Sequence, residues 1–132
     1  MSVFVDTSAL LAVIDAKDRH NVHAMRVWKS ILLDQRLLVC TNYVLVEALT
    51  LAQSRLGLEA ARTLQEDIFP LVSIEWVDEV SHRAGVTGVF TAARKKLSLV
   101  DCVSFDIMRR LGIKTVFTFD RHFKEQGFTC LP

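Results

Sequence analysis

Short apolar runs recur along the chain, separated by longer and more mixed segments. VFV at 3–5, LLVC at 37–40, LVSI at 71–74 and TVF at 115–117 have the length and β-branched content of buried strands. FTC at 128–130 predicts a short fifth. The intervening segments repeat at helical spacing, which predicts helices over 8–15, 20–34, 43–56, 58–69, 77–95 and 99–111. Within 20–34, Val22, Met25, Val27, Trp28, Ile31 and Leu32 fall mostly on one face. Gly57 and Gly112 stand where two of the helices should stop. The stretch VTGVFTAARKK at 86–96 is less regular, and its Gly88 and β-branched residues predict a break or two shorter helices.

Strands that alternate with helices imply parallel pairing, with helices packed on both faces of one sheet. The expected class is therefore α/β: three layers, with a mostly parallel central sheet of four to five strands. At 132 residues, with two prolines, no Ser/Gly linker and no repeat, a single domain over 1–132 is expected.

Composition narrows this only a little. The chain is 51% hydrophobic, enough for a proper core. Its 16 basic and 15 acidic residues give a formal net charge of +1, which by itself favours neither nucleic acid nor a membrane. Cys40, Cys102 and Cys130 are odd in number and widely spaced, so a disulfide framework or zinc cluster is not expected. No signal peptide precedes VFV and no apolar run spans a bilayer, so a cytoplasmic protein without membrane association is expected.

The candidate chemistry lies in four carboxylates. Asp6 directly follows the first strand, where ligands bind in open α/β sheets. It could equally be a helix cap. Glu47 lies in YVLVEALTLA, a helix apolar nearly all round, which predicts burial and therefore a need for a cation or a partner such as Arg55 or Arg62. Asp101 follows Ser98 in an S-x-x-D capping box at the start of 99–111, yet a first-turn carboxylate there also points toward the strand ends. Asp106 is expected on the solvated face. Asp120, in TVFTFDRHF, repeats the order strand, hydroxyl, aspartate, helix.

Four acids converging on one crevice repel one another. A hard divalent cation such as Mg²⁺ or Mn²⁺ is the simplest compensation. Setting those four of the 15 acids aside leaves 11 against 16 bases. Arg94, Lys95, Lys96 and Arg121 neighbour two of the acids in sequence and are the candidate contacts to a phosphodiester chain. His20 and His23 are expected on a solvated helix face away from any strand end, His82 similarly. His122 could touch substrate, but it is not the expected acid or base. Phosphate-binding glycine loops, HExxH and GxSxG are all absent.

Taken together, DTSALL at 6–11, TNYVLVEAL at 41–49, LSLVDCVSFDIMRRLGI at 97–113 and TFDRHF at 118–123 resemble the PIN-domain family, most closely its small VapC-like toxins. The resemblance covers essentially the whole chain. It implies a Rossmann-like α/β/α sandwich and an acidic quartet of Asp6, Glu47, Asp101 and Asp120 binding one or two Mg²⁺ or Mn²⁺ ions. Thr7, Ser8, Ser98 and Thr118 match the family's hydroxyl positions. It further implies metal-dependent hydrolysis of RNA, a homodimer, and a cognate antitoxin of a type II toxin–antitoxin pair. The alternatives are a catalytically weak module that binds RNA or protein, and a phosphoacceptor switch. The switch would need an acidic neighbour beside Asp6, which DTS does not supply.

Overall fold

The computed structural model describes residues 1–132. Five parallel strands form one sheet: β1 Ser2–Val5, β2 Leu37–Thr41, β3 Ser73–Glu75, β4 Thr115–Phe117 and β5 Thr129–Leu131, in the order β3-β2-β1-β4-β5. All five strands lie where the apolar runs predict them, to within two residues. Parallel strands require crossovers, and helices provide them: α1 Thr7–Ile14, α2 Asn21–Leu33, α3 Asn42–Leu56, α4 Leu58–Thr63, α5 Glu79–Ala92, α6 Leu99–Leu111 and α7 His122–Glu125. A π-helical turn and a 3₁₀ turn carry the chain from α4 to β3. Gly57 and Gly112 both adopt positive φ and close α3 and α6, as expected of C-terminal stops.

The strand order decides where chemistry can occur. From β1 the chain steps outward through β2 to β3, then returns across the sheet to β4 on the other side of β1. The boundary between β1 and β4 is thus the point where the winding reverses and a crevice opens at the carboxyl ends of the strands. Val5 pairs with Phe117 in register, and the Asp6 N–H donates to Phe117 O at 3.0 Å. Both strands leave the sheet together at that point. Val3, Phe4 and Val5 of β1 are fully buried, as are Val116 and Phe117 of β4, so the site rests on a fully buried part of the core.

Three helical expectations need correction. Residues 86–92 do not break: α5 runs unbroken to Ala92 through Gly85 and Gly88. The glycines serve packing, since a methyl group at Gly85 would overlap Val103 Cγ2 of α6, and one at Gly88 would lie 3.3 Å from Cys102 Cβ. The second concerns α3, which is not buried all round. It turns Val44, Ala48 and Ala52 into the core, while Val46 is 59% exposed. Likewise Trp28 and Ile31 anchor α2, but Val22 and Leu32, at the edges of the apolar stripe, remain exposed. No helix is long and apolar enough to cross a membrane.

Candidate active site

All four predicted acids line one open cleft of about 260 Å³ at the β1/β4 boundary. Asp6 enters from the end of β1, Glu47 from the second turn of α3, Asp101 from the first turn of α6 and Asp120 from the loop after β4. Thr7, Ser8 and Ser98 line the same cleft, and Thr118 lies immediately beneath it, buried.

The hydroxyls hold the acids. Asp6 Oδ2 accepts from Ser8 Oγ at 2.8 Å and from Thr118 Oγ1 at 2.9 Å. Thr118 Oγ1 also accepts from the Asp120 N–H at 2.9 Å, so one hydroxyl joins the two aspartates. Ser8 Oγ accepts from the Phe119 N–H at 3.0 Å and ties α1 to the end of β4. Ser98 and Asp101 form the predicted capping box: Ser98 Oγ accepts from the Asp101 N–H, and Asp101 Oδ2 from the Ser98 N–H. Asp101 Oδ1 stays free of that box. Thr7 Oγ1 is buried with no partner.

Asp6 is only 4% exposed. Burial pushes its carboxyl up to about 6, helped by the negative charges of Asp101 and Asp120 and opposed by the hydrogen bonds from Ser8 and Thr118. Asp101, 9% exposed, is raised for the same leading reason, with Asp120 adding to the shift. Glu47 is half-buried rather than buried, because α3 presents it at the margin of its core face.

Some predicted residues are brought to the cleft and others are not. Lys96 lines it. Arg94 is drawn away into an ion pair with Glu125 at 2.7 Å, Lys95 is exposed and off the cleft wall, and Arg121 is 83% exposed, 3.8 Å from Glu125. Asp106 is not fully solvated: it is half-buried and pairs with Arg110 at 2.9 Å, one turn along α6.

Three residues take places at the site other than those expected from the sequence. His122 is buried, with Nδ1 3.0 Å from Asp120 Oδ1, and candidate ligand atoms of Asp101, Asp120 and His122 lie within 4.8 Å of one another. Arg55 lines the cleft beside Glu47 and Leu51. Those three are spaced four apart on α3, a signal readable in advance. His20 is not remote from the strand ends: its ring stacks on Phe119, 4.4 Å between centroids and 12° between planes. That contact joins residues 99 apart in sequence and leaves no local trace.

The donor set suits a hard cation. Carboxylates whose protonation is favoured first by burial and then by each other's charge, an unpartnered Thr7 hydroxyl and an imidazole beside Asp120 together form an oxygen-rich cluster, with Arg55 and Lys96 the only cations lining the cleft.

Comparison with known proteins agrees with this geometry. The model of the PIN domain matches residues 3–128. The chain belongs to the PIN-domain family. Among PIN-domain relatives, the 23S rRNA-specific endonuclease VapC20 of Mycobacterium tuberculosis is 31% identical over 127 residues, covering 96% of this chain and 95% of VapC20. The crystal structure of that VapC20, described as a Sarcin-Ricin loop cleaving toxin, superposes with a TM-score of 0.86 at 30% identity, covering 96% of each chain. FitAcB from Neisseria gonorrhoeae shares the PIN fold at a TM-score of 0.71 and 16% identity, covering all of this chain and 97% of its own.

Proposed function

We propose that this PIN domain is a metal-dependent endoribonuclease and the toxin of a type II toxin–antitoxin pair. The observation that carries the reading is the convergence of Asp6, Glu47, Asp101 and Asp120 on one cleft at the winding reversal of the sheet. Kinship with an rRNA-cleaving toxin supports it. The specificity of VapC20 makes 23S ribosomal RNA the first substrate to test. A toxin of this kind acts in the cytoplasm and is held by a cognate antitoxin; we also propose a homodimer.

Asp6, Glu47, Asp101 and Asp120 would hold one or two Mg²⁺ or Mn²⁺ ions, with His122 beside Asp120. A bound ion supplies a water acidified toward neutral pH and neutralises charge on the phosphate. The chain's own contribution is positioning. Ser8 and Thr118 fix Asp6 Oδ2, so the carboxylate presents its other oxygen to the cleft without rearrangement. Asp120 is held by the Thr118 hydroxyl at its N–H and by the His122 N–H at Oδ1, with the His122 ring nitrogen 3.0 Å from that same oxygen. So placed, it orients a water and receives its proton. Lys96 and Arg55 also line the cleft and offer the phosphate oxygens positive charge.

The test is cleavage of purified ribosomal RNA by the purified chain. Cleavage at discrete sites with Mg²⁺ or Mn²⁺, lost on chelation and lost in Asp6→Asn, is expected. Cleavage that persists in a well-folded Asp6→Asn protein would falsify the assignment.

A further inference from the structure

A second cleft, of about 340 Å³, opens beside the acids. Asp18, Arg19, His20 and Phe119 line it, and Ser8, Leu11 and Arg55 belong to both clefts. The two are therefore one continuous groove, turning at Arg55 and Ser8. Volumes of roughly 300 Å³ and above are those of ligand sites rather than of packing defects.

Its floor is a pre-built aromatic stack. Phe119 leans edge-on against buried Phe117, at 6.1 Å and 63°, and the Ser8 hydroxyl pins its backbone. His20 lies flat against Phe119, and both rings line the groove, so the stack borders it. The position of His20 is fixed twice more: the His20 N–H donates to Asp18 Oδ1 at 2.7 Å, and Arg19 Nε donates to His20 Nε2 at 3.2 Å. Neither Arg19 nor Arg55 is engaged in an ion pair, in contrast to Arg62, Arg83, Arg94, Arg110 and Arg121.

A flat face flanked by two unpaired guanidinium groups, continuous with a phosphodiester-cleaving site, has the chemistry of a nucleotide subsite. Unpaired bases stack on such faces while arginines take the flanking phosphates. We propose that this groove binds the nucleotide next to the cleaved bond, with its base stacked on His20 and its phosphates held by Arg19 and Arg55. The proposal rests on the endoribonuclease reading above. It makes the target segment single-stranded at that position, because a base still paired in a helix has no free face to give.

The test uses the full chain and a short single-stranded RNA spanning a mapped cleavage site, with 2-aminopurine in place of the base flanking the cleaved bond. Wild-type protein should quench the probe on binding. His20→Ala should abolish the quenching and raise KM by about tenfold, the scale of one lost base stack, with kcat within roughly twofold. His20→Tyr, which restores a flat aromatic face, should return both quenching and KM toward wild type. An unchanged KM in His20→Ala overturns the subsite. So does equal impairment of the Ala and Tyr variants, which would mean that His20 only packs the 15–20 loop. Failure of the wild-type protein to cleave any RNA overturns the endoribonuclease reading, and the subsite with it.

Discussion

Asp6 stands at the N-cap position of α1, where an aspartate would ordinarily accept a backbone N–H of the first turn. Its side chain makes no such bond. Asp78, which does cap α5 by accepting from the Ser81 N–H at 2.8 Å, has its carboxyl lowered by that bond. Asp6 is raised instead, to about 6 from 3.8, chiefly by burial. The contrast separates an aspartate that stabilises its helix from one that the fold carries at a cost. Below pH 4 the Asp6 carboxyl is protonated in folded and unfolded chains alike and imposes no penalty. Between pH 4 and 6 the unfolded chain loses the proton first, so metal-free stability falls as pH rises, and above pH 6 the full penalty is present. Asp6→Asn keeps an acceptor for Ser8 and Thr118 but removes the charge. At pH 7.5 without metal it should be more stable than wild type by about 1–3 kcal/mol, with little difference at pH 4. Urea unfolding at the two pH values checks this, and a variant less stable at pH 7.5 would show that Asp6 is a structural residue.

At the scale of elements, α5 packs against α6 through Gly85 and Gly88, and the sequence presents the second of these as an irregularity. Gly85 faces Val103 with no space for a methyl group, whereas a methyl at Gly88 would lie 3.3 Å from Cys102 Cβ, tight enough that the neighbour must give by a few tenths of an ångström. Gly85→Ala should therefore destabilise by about 1–3 kcal/mol through overpacking. Gly88→Ala should cost less than ~1 kcal/mol, because better helix propensity offsets the contact. Thermal unfolding of the two variants gives the comparison, and equal effects would contradict the packing account. The same pair shows what local pattern can and cannot carry. Strand positions, helix stops and the Ser98–Asp101 box were legible because each depends on residues within one turn or one strand. A glycine that admits a neighbour resembles one that breaks a helix, because the neighbour is not in the local sequence. Val46 is apolar but faces outward, so a count of apolar neighbours overstated how deeply Glu47 is buried. The four acids were legible as a set through their strand-end grammar. The His20–Phe119 stack was not, because it depends on the loop before α2 meeting the loop after β4.

At the scale of the molecule, the acidic site gathers residues 6, 47, 101 and 120 and so draws on nearly the whole chain. An ion bound there would cross-link β1, α3, α6 and the loop after β4. Local opening of any one of them would release it, so its binding energy should appear in global unfolding rather than in a local transition. The charge penalty at Asp6 and Asp101 is what the ion relieves, and both carboxyls are raised in the metal-free protein. The added stability must therefore grow with pH, because at low pH protons compete for the same oxygens. Trp28 offers a suitable probe: it is buried in the core, whereas Trp76 is 71% exposed and should change little on unfolding. Millimolar Mn²⁺ should raise the midpoint of the Trp28 fluorescence transition by about 3–10 °C at pH 7.5, the scale of a few kcal/mol in a domain of this size, and by much less at pH 5. Asp6→Asn should abolish most of that difference. An equal metal response at both pH values, or one retained in Asp6→Asn, would place the ion somewhere other than the cleft between β1 and β4.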